Sequence, residues 1–331
     1  MSAFADPEII RMAQDDFVPV TADDWYQRRR KDAEGAFFMR MSDQTDRKAA
    51  GKDGTRQGIY VLTADGEALS LKNAGQDAAV TKAELKRALA KFDRLPAARR
   101  TPGGVRVEPP GRPDPNYTRT VPRGGLAVRV NARILDAAGT GFKPGTCGFV
   151  GGAKSARDFL WLQADEVAAM APPKAQVGAS YPLPEAVAVR LCRHHLTDFT
   201  RGEPPAWEPA EVRRHAFTLT VTAVTPGGVE IRVDGTALMS TDADPAKADR
   251  GYDVRMTGRL RYVPATKSFD RFDIAAVGDH WGEGAHTGGA RPGRTPLGIT
   301  FGPVVPEVGS SPADRVPPQA ARDLADYFGR R

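Results

Sequence analysis

The chain has 331 residues, 40% of them apolar and 27% charged, with a formal charge of +6. That is the balance of an ordinary globular protein with more than one core, and two cysteines are too few for a disulfide framework. No run of about 18 apolar residues appears, so no membrane-spanning segment is expected, and the opening residues lack a signal-peptide pattern.

Asp6-Pro7-Glu8 predicts a helix start, with Asp6 as N-cap and Pro7 in the first turn. Phe17-Val18-Pro19-Val20 reads as a short buried strand. Asp23-Asp24 then caps a helix running to about Met41, with Trp25, Phe37, Phe38 and Met41 inward. Residues 42–57 are polar and read as loop. Ile59-Tyr60-Val61-Leu62 and Ala68-Leu69-Ser70-Leu71 flank Asp65-Gly66, a hairpin signal. Thr81 reads as the cap of a last helix, with Glu84 completing a capping box and Leu85, Leu89 and Phe92 as its apolar face.

The order over residues 5–95 is helix, strand, helix, strand, strand, helix. With the 17–20 strand, Trp25 leading into a helix and the Gly58-to-Gly66 hairpin, it resembles the thioredoxin-like family. The resemblance implies an α/β domain. Where the family carries Trp-Cys-x-x-Cys, this sequence has Trp25-Tyr26-Gln27-Arg28-Arg29, and Gln57-Gly58 stand in place of the cis-proline. The resemblance therefore implies the scaffold without its dithiol chemistry.

Charge balances over residues 1–95, with 16 Lys/Arg against 16 Asp/Glu. Residues 96–125 hold seven prolines, five glycines and six arginines and read as a semi-rigid linker. A β-rich domain is expected over 126–305. Leu126, Val128, Val130, Ala132 and Ile134 alternate with polar residues. Phe159-Leu160-Trp161-Leu162 reads as a strand before a helix at 164–171, and Pro184 opens a helix to about Thr197. Alternating runs follow at 217–223, 229–233, 252–262, 272–276 and 297–301. This is the pattern of an antiparallel sheet buried on one face, expected as a curved sheet or partly closed barrel over the 185–197 helix. The tail, 306–331, is Pro-rich and ends in a short surface helix near 319–328. The overall expectation is an α+β chain.

Five places carry candidate chemistry. Trp25, Tyr26, Arg28 and Arg29 open a helix and offer donors for an anion or a partner's carboxylate. His194, His195, His280 and His286, with Cys192 or Glu283, are candidate ligands for a transition metal. Asp279-His280-Trp281-Gly282-Glu283 groups a candidate general base, His280, with carboxylates, Asp279 and Glu283, that could orient it. Cys147 lies in a glycine-rich stretch without phosphate-loop spacing and would need a base such as His195 to act as a nucleophile. Arg255, Arg259, Arg261 and Arg271 form a stripe interleaved with Asp253, Asp270 and Asp273. The stripe could bind phosphate or RNA, but the interleaved carboxylates and the lack of stacking aromatics favour a solvated face of paired charges.

Two functions follow as expectations. The first is a cytoplasmic, non-redox binding or assembly protein whose β-rich domain holds a small ligand, a protein partner or another copy of the chain. The second is a metal-assisted or histidine-centred enzyme with its site in that domain.

Overall fold

The computed structural model describes residues 3–51, 54–72, 77–117, 120–136, 155–305, 315–318, 320 and 323–330. The chain divides into two compact units, Met1–Thr118 and Arg119–Arg331. It is an α+β protein whose second unit is built on a large antiparallel sheet.

In the first unit, α1 (Pro7–Asp15) begins as expected, with the Asp6 carboxylate accepting from the Glu8 and Ile9 N–H groups. The expected strand at 17–20 does not form. Those residues are irregular, with Val18 90% and Val20 82% exposed. The single helix expected from Asp23 to Met41 is two, α2 (Asp24–Arg29) and α3 (Ala33–Ser42). Arg30 takes an extended conformation, and Asp32 caps α3 through the Gly35 N–H. A 3₁₀ turn, Asp46–Ala50, interrupts the expected loop.

The hairpin forms as β1 (Ile59–Leu62) and β2 (Ala68–Lys72), paired antiparallel, and Gly66 sits at φ +88° in its turn. α4 (Ala78–Asp93) starts three residues before the expected cap. Asp77 is the N-cap, Thr81 lies inside the helix, and Glu84 accepts from Ser70 instead of closing a capping box. A short helix, α5, spans Ala97–Arg100.

Ile9, Met12, Val61, Leu69, Leu85 and Ala88 form a small core. Around it the unit relies on polar contacts. Arg56 is 2% exposed and donates to the Ser42 hydroxyl and the Asp43 carboxylate, both at 2.6 Å, and to the Gly51 carbonyl. Residues expected to belong to a spacer take part as well. The Asp114 carboxylate accepts from the Lys31 N–H at 2.8 Å, and the Asp114 N–H donates to Asp32 at 2.6 Å. Arg99 bonds Asp65 and Glu67.

The second unit contains β3 (Leu126–Ile134), β4 (Ser155–Leu162), α6 (Ala164–Ala169), β5 (Ser180–Pro182) and α7 (Glu185–Arg190). The long strands β6 (Val212–Thr225), β7 (Gly228–Ser240), β8 (Gly251–Val263), β9 (Ser268–Trp281) and β10 (Thr295–Pro303) follow, then α8 (Leu324–Tyr327). The eight strands lie in the order β4-β3-β10-β9-β8-β7-β6-β5, every neighbour antiparallel, and the sheet is not closed into a barrel.

Period-two alternation decides its faces. Val128, Val130, Ala132 and Ile134 of β3, Leu219 and Val221 of β6, and Val254, Met256 and Leu260 of β8 all enter one core. That core also takes Val187 and Ala188 of α7 with Leu191 and Cys192 beyond it, so the sheet does pack on the expected helix. The opposite face carries Arg255 and Arg259, with ion pairs from Arg261 to Asp270 and from Arg271 to Asp273.

The tail helix is not a surface element. Tyr327 is 1% and Phe328 6% exposed, in a second cluster with Trp161. Among the described residues no helix is long and apolar enough to cross a membrane.

Candidate functional site

The helix expected to run to Thr197 ends as a regular α-helix at Arg190 and continues as a π turn, Leu191–His195. Its closing bond runs from the Leu196 N–H to the Leu191 carbonyl at 2.8 Å. π turns widen a helix by one residue and re-aim the side chains that follow. Here the turn buries Cys192, Arg193, His194 and His195 together. Trp207 holds the turn's end: its indole N–H donates to the Leu196 carbonyl, and its backbone N–H to that of Arg193.

His195 is fully buried between β4 and α8. Its Nδ1 lies 3.1 Å from the Asp158 carboxylate and its Nε2 2.9 Å from the Tyr327 hydroxyl. The Trp161 N–H donates to that same hydroxyl oxygen at 3.0 Å. The arrangement that uses every proton has Tyr327 donating to Nε2 and Nδ1–H donating to Asp158. It has the order of a carboxylate–imidazole–hydroxyl relay, yet the imidazole is fully buried, Tyr327 is 1% exposed and Asp158 only 8%. The Tyr327 phenol is pushed above its ordinary pKa by burial.

Beside it, Arg190 is 2% exposed and forms a two-pronged ion pair with Glu166. The same guanidinium donates to the Tyr327 and Trp161 carbonyls. Together these contacts fasten α8 to the unit. Tyr327 stands 132 positions from His195, too far along the chain for any local pattern to signal the pairing.

His194 packs on the same tyrosine, its ring centroid 5.2 Å from that of Tyr327. Both its ring nitrogens are buried without a hydrogen-bond partner, and burial with the nearby His195 and Arg193 depresses its pKa to about 3. Cys192 is fully buried, and burial pushes its thiol up to about 12.

His280 was expected in a loop but lies on β9, opposite Thr295 of β10. Alternation sends its neighbour Asp279 to the exposed face, so Asp279 does not orient it. Glu283 is also turned away: it accepts from the Ala290 N–H and comes only within 3.8 Å of Arg201. The carboxylate that faces the His280 ring is Asp198, from the segment after the π turn.

Asp198 is held by the Thr200 N–H and hydroxyl and by Arg201 Nε at 2.7 Å. Burial opposes its ionisation, but His280, Thr200 and Arg201 outweigh it and keep the carboxyl below its ordinary pKa. Burial lowers the pKa of His280, against the pull of Asp198 and with help from Arg201, Arg250 and Arg291. Arg201 also donates to the Thr287 and Gly282 carbonyls and so straps down the loop leaving β9. Gly282 is required there: φ is +74°, and a Cβ would stand 1.7 Å from the Asp249 carbonyl oxygen. The cleft lined by Asp198, Arg201, His280 and Arg291 encloses about 10 Å³, the room of a single water.

The expected metal ligands do not converge. His194 and His195 both pack on Tyr327, His280 packs on Tyr252, and His286 is exposed. Among the described residues no three His, Cys, Asp or Glu side chains could hold one ion. Cys147 lies outside the described residues.

The anion or partner site expected on α2 is largely self-satisfied. Tyr26 is buried and donates to the Tyr117 carbonyl, and Arg28 pairs with Asp24 at 3.0 Å. Arg29 stacks on the half-buried Trp25 ring, 4.2 Å from its centroid.

A larger recess, about 380 Å³, opens at one end of the sheet. β10 pairs with β9 as far as Phe301 and with β3 as far as Pro303, while both flanking strands run on to Ser268 and Leu126. Where the central strand stops, its neighbours stand about two strand spacings, roughly 10 Å, apart. Leu126, Val128, Phe269, Phe272, Pro303 and Val304 wall the recess, and Asp270 and Arg315 supply its charge. Asp270 is already bonded to Arg261. The Arg315 carbonyl is anchored by the Trp161 indole at 2.7 Å. Comparison with protein-family models, with curated proteins and with solved structures found no match for the chain.

Proposed function

We propose that this is a non-redox binding or assembly protein whose β-rich unit takes a small, mainly apolar ligand with an anionic end. The observation that carries this reading is the contrast between two spaces. The cleft beside His280 has room for one water, whereas the recess at the end of β10 has the volume of an ordinary ligand site and apolar walls. Aromatic and aliphatic walls supply binding by burial, and Arg315 supplies a partner for one negative group. Reactive side chains of the same unit are committed elsewhere, with His195 between Asp158 and Tyr327 and Asp198 on Thr200 and Arg201. In this reading the first unit, with Trp25, Tyr26, Arg28 and Arg29 in place of a dithiol, serves recognition and not electron transfer.

Titration with 8-anilinonaphthalene-1-sulfonate, an apolar anion, tests the reading. One saturable site is expected, weakened severalfold by Arg315→Ala and abolished by Val304→Glu with the circular dichroism spectrum unchanged. Binding that is absent, or indifferent to both substitutions, would refute it.

One observation favours a second reading. An imidazole and a carboxylate lining a cleft with room for one water are the parts of a general base. A hydrolytic activity lost in both His280→Ala and Asp198→Asn, with the fold retained, would replace the binding role with that one.

A further inference from the structure

In residues 17–22 of the first unit, β-branched sequence meets solvent. Phe17 packs against the small core, yet Val18 and Val20 are almost wholly in water. Among the described residues, no backbone N–H or C=O of 17–22 has a hydrogen bond. A β-branched, unpaired segment is a template for strand addition.

The same unit carries the complement. β1 pairs with β2 on one side and, among the described residues, with no strand on the other. The far edge of β2 is blunted, because the Lys91 ammonium caps the Leu69 carbonyl at 2.6 Å. A two-stranded sheet is marginal, and a third strand is the usual remedy. Donor and acceptor are therefore both present in each copy, and neither is used.

We propose that two copies of the chain exchange these segments, residues 17–22 of each adding as a third strand to the free edge of β1 in the other. This inference is independent of the ligand recess. Pro19 sets the geometry. In a strand, alternate residues present their N–H and C=O to the same lateral side, so Val18 and Val20 share one side and Phe17 and Pro19 the other. Pro19 has no N–H to give, so the side carrying Val18 and Val20 is the pairing side and the other side can only be an outer edge. A donor with one usable side ends the sheet. Reciprocal addition then closes as a two-fold dimer and does not grow into a fibre.

The test uses the full chain. Sedimentation or light scattering across the micromolar range should give twice the 35.6 kDa chain mass. Hydrogen exchange should show the Val18 and Val20 amides protected in the dimer and exposed on dilution to monomer. The double substitution Val18→Lys, Val20→Lys should give a monomer with an unchanged far-ultraviolet spectrum. Lysine at Val224 and Val277, exposed valines of the second unit, should leave the dimer intact. Three results would each overturn the proposal: a monomer at every concentration, a dimer that survives the Val18 and Val20 substitutions, or protected Val18 and Val20 amides in a monomer, which would mean pairing within one copy.

Discussion

The two units keep their shape by different means. The second buries a continuous apolar face along most of its long strands, and buried charges such as Arg190 with Glu166 and Arg201 with Asp198 are set into it as bonded pairs. The first has a handful of buried apolar side chains and leans on Arg30, Arg56, Asp32 and Asp114 to tie its helices and turns together. Apolar burial is non-directional and survives small errors of fit, whereas a buried guanidinium holds only while each partner stays in place. The second unit should therefore behave as a rigid platform, and the first as the part that opens at lower cost.

That contrast breaks most readily at Glu166. Glu166→Ala leaves Arg190 charged and unpaired inside the second unit and should cost about 3–5 kcal/mol in urea unfolding followed by tryptophan fluorescence. Replacing both partners with apolar residues, Glu166→Leu with Arg190→Met, should recover most of the loss. A Glu166→Ala cost near zero would mean that the platform does not depend on this clasp.

The next effect belongs to His194. Its folded pKa of about 3 lies below the unfolded value, so the unfolded chain binds the extra proton as pH falls. The stability tied to its neutral form is complete above about pH 6.5 and declines at roughly 1.4 kcal/mol per pH unit on the way down to about pH 3. His194→Leu removes two unpartnered nitrogens and should flatten that decline without lowering stability at pH 7. An unchanged slope would place the acid sensitivity elsewhere.

A smaller and more local change is expected at Arg56. Arg56→Met should cost about 1–3 kcal/mol and speed hydrogen exchange within residues 3–117 while leaving 155–303 unaffected. Exchange rising equally in both would contradict the division. The smallest effect is on the outer face of the sheet. Arg261→Ala breaks the exposed pair with Asp270 and should change stability by less than about 1 kcal/mol.

Sequence reading did best where one period explains everything. Val128 to Ile134 alternate in the structure as they do in the chain, and Asp6-Pro7 caps α1 as expected. It failed where the answer depended on distant partners. Phe17 to Val20 have the composition of a buried strand, but nothing in the chain states whether a sheet edge awaits them. Thr81 suits a cap, yet Asp77 takes the role. Asp279 neighbours His280 in sequence and points away from it, because adjacent residues of a strand face opposite sides. Asp198 carries a local signal, the Asp-x-Thr turn closed onto Thr200, but nothing local directs it to a histidine 82 positions later.

The binding role is tested most directly by mapping where an apolar anion lands on the isotopically labelled full chain. With 8-anilinonaphthalene-1-sulfonate, amide shifts should concentrate at 121–128, 269–272 and 303–304. Shifts concentrated around Asp198, Arg201 and His280, with the recess silent, would contradict it.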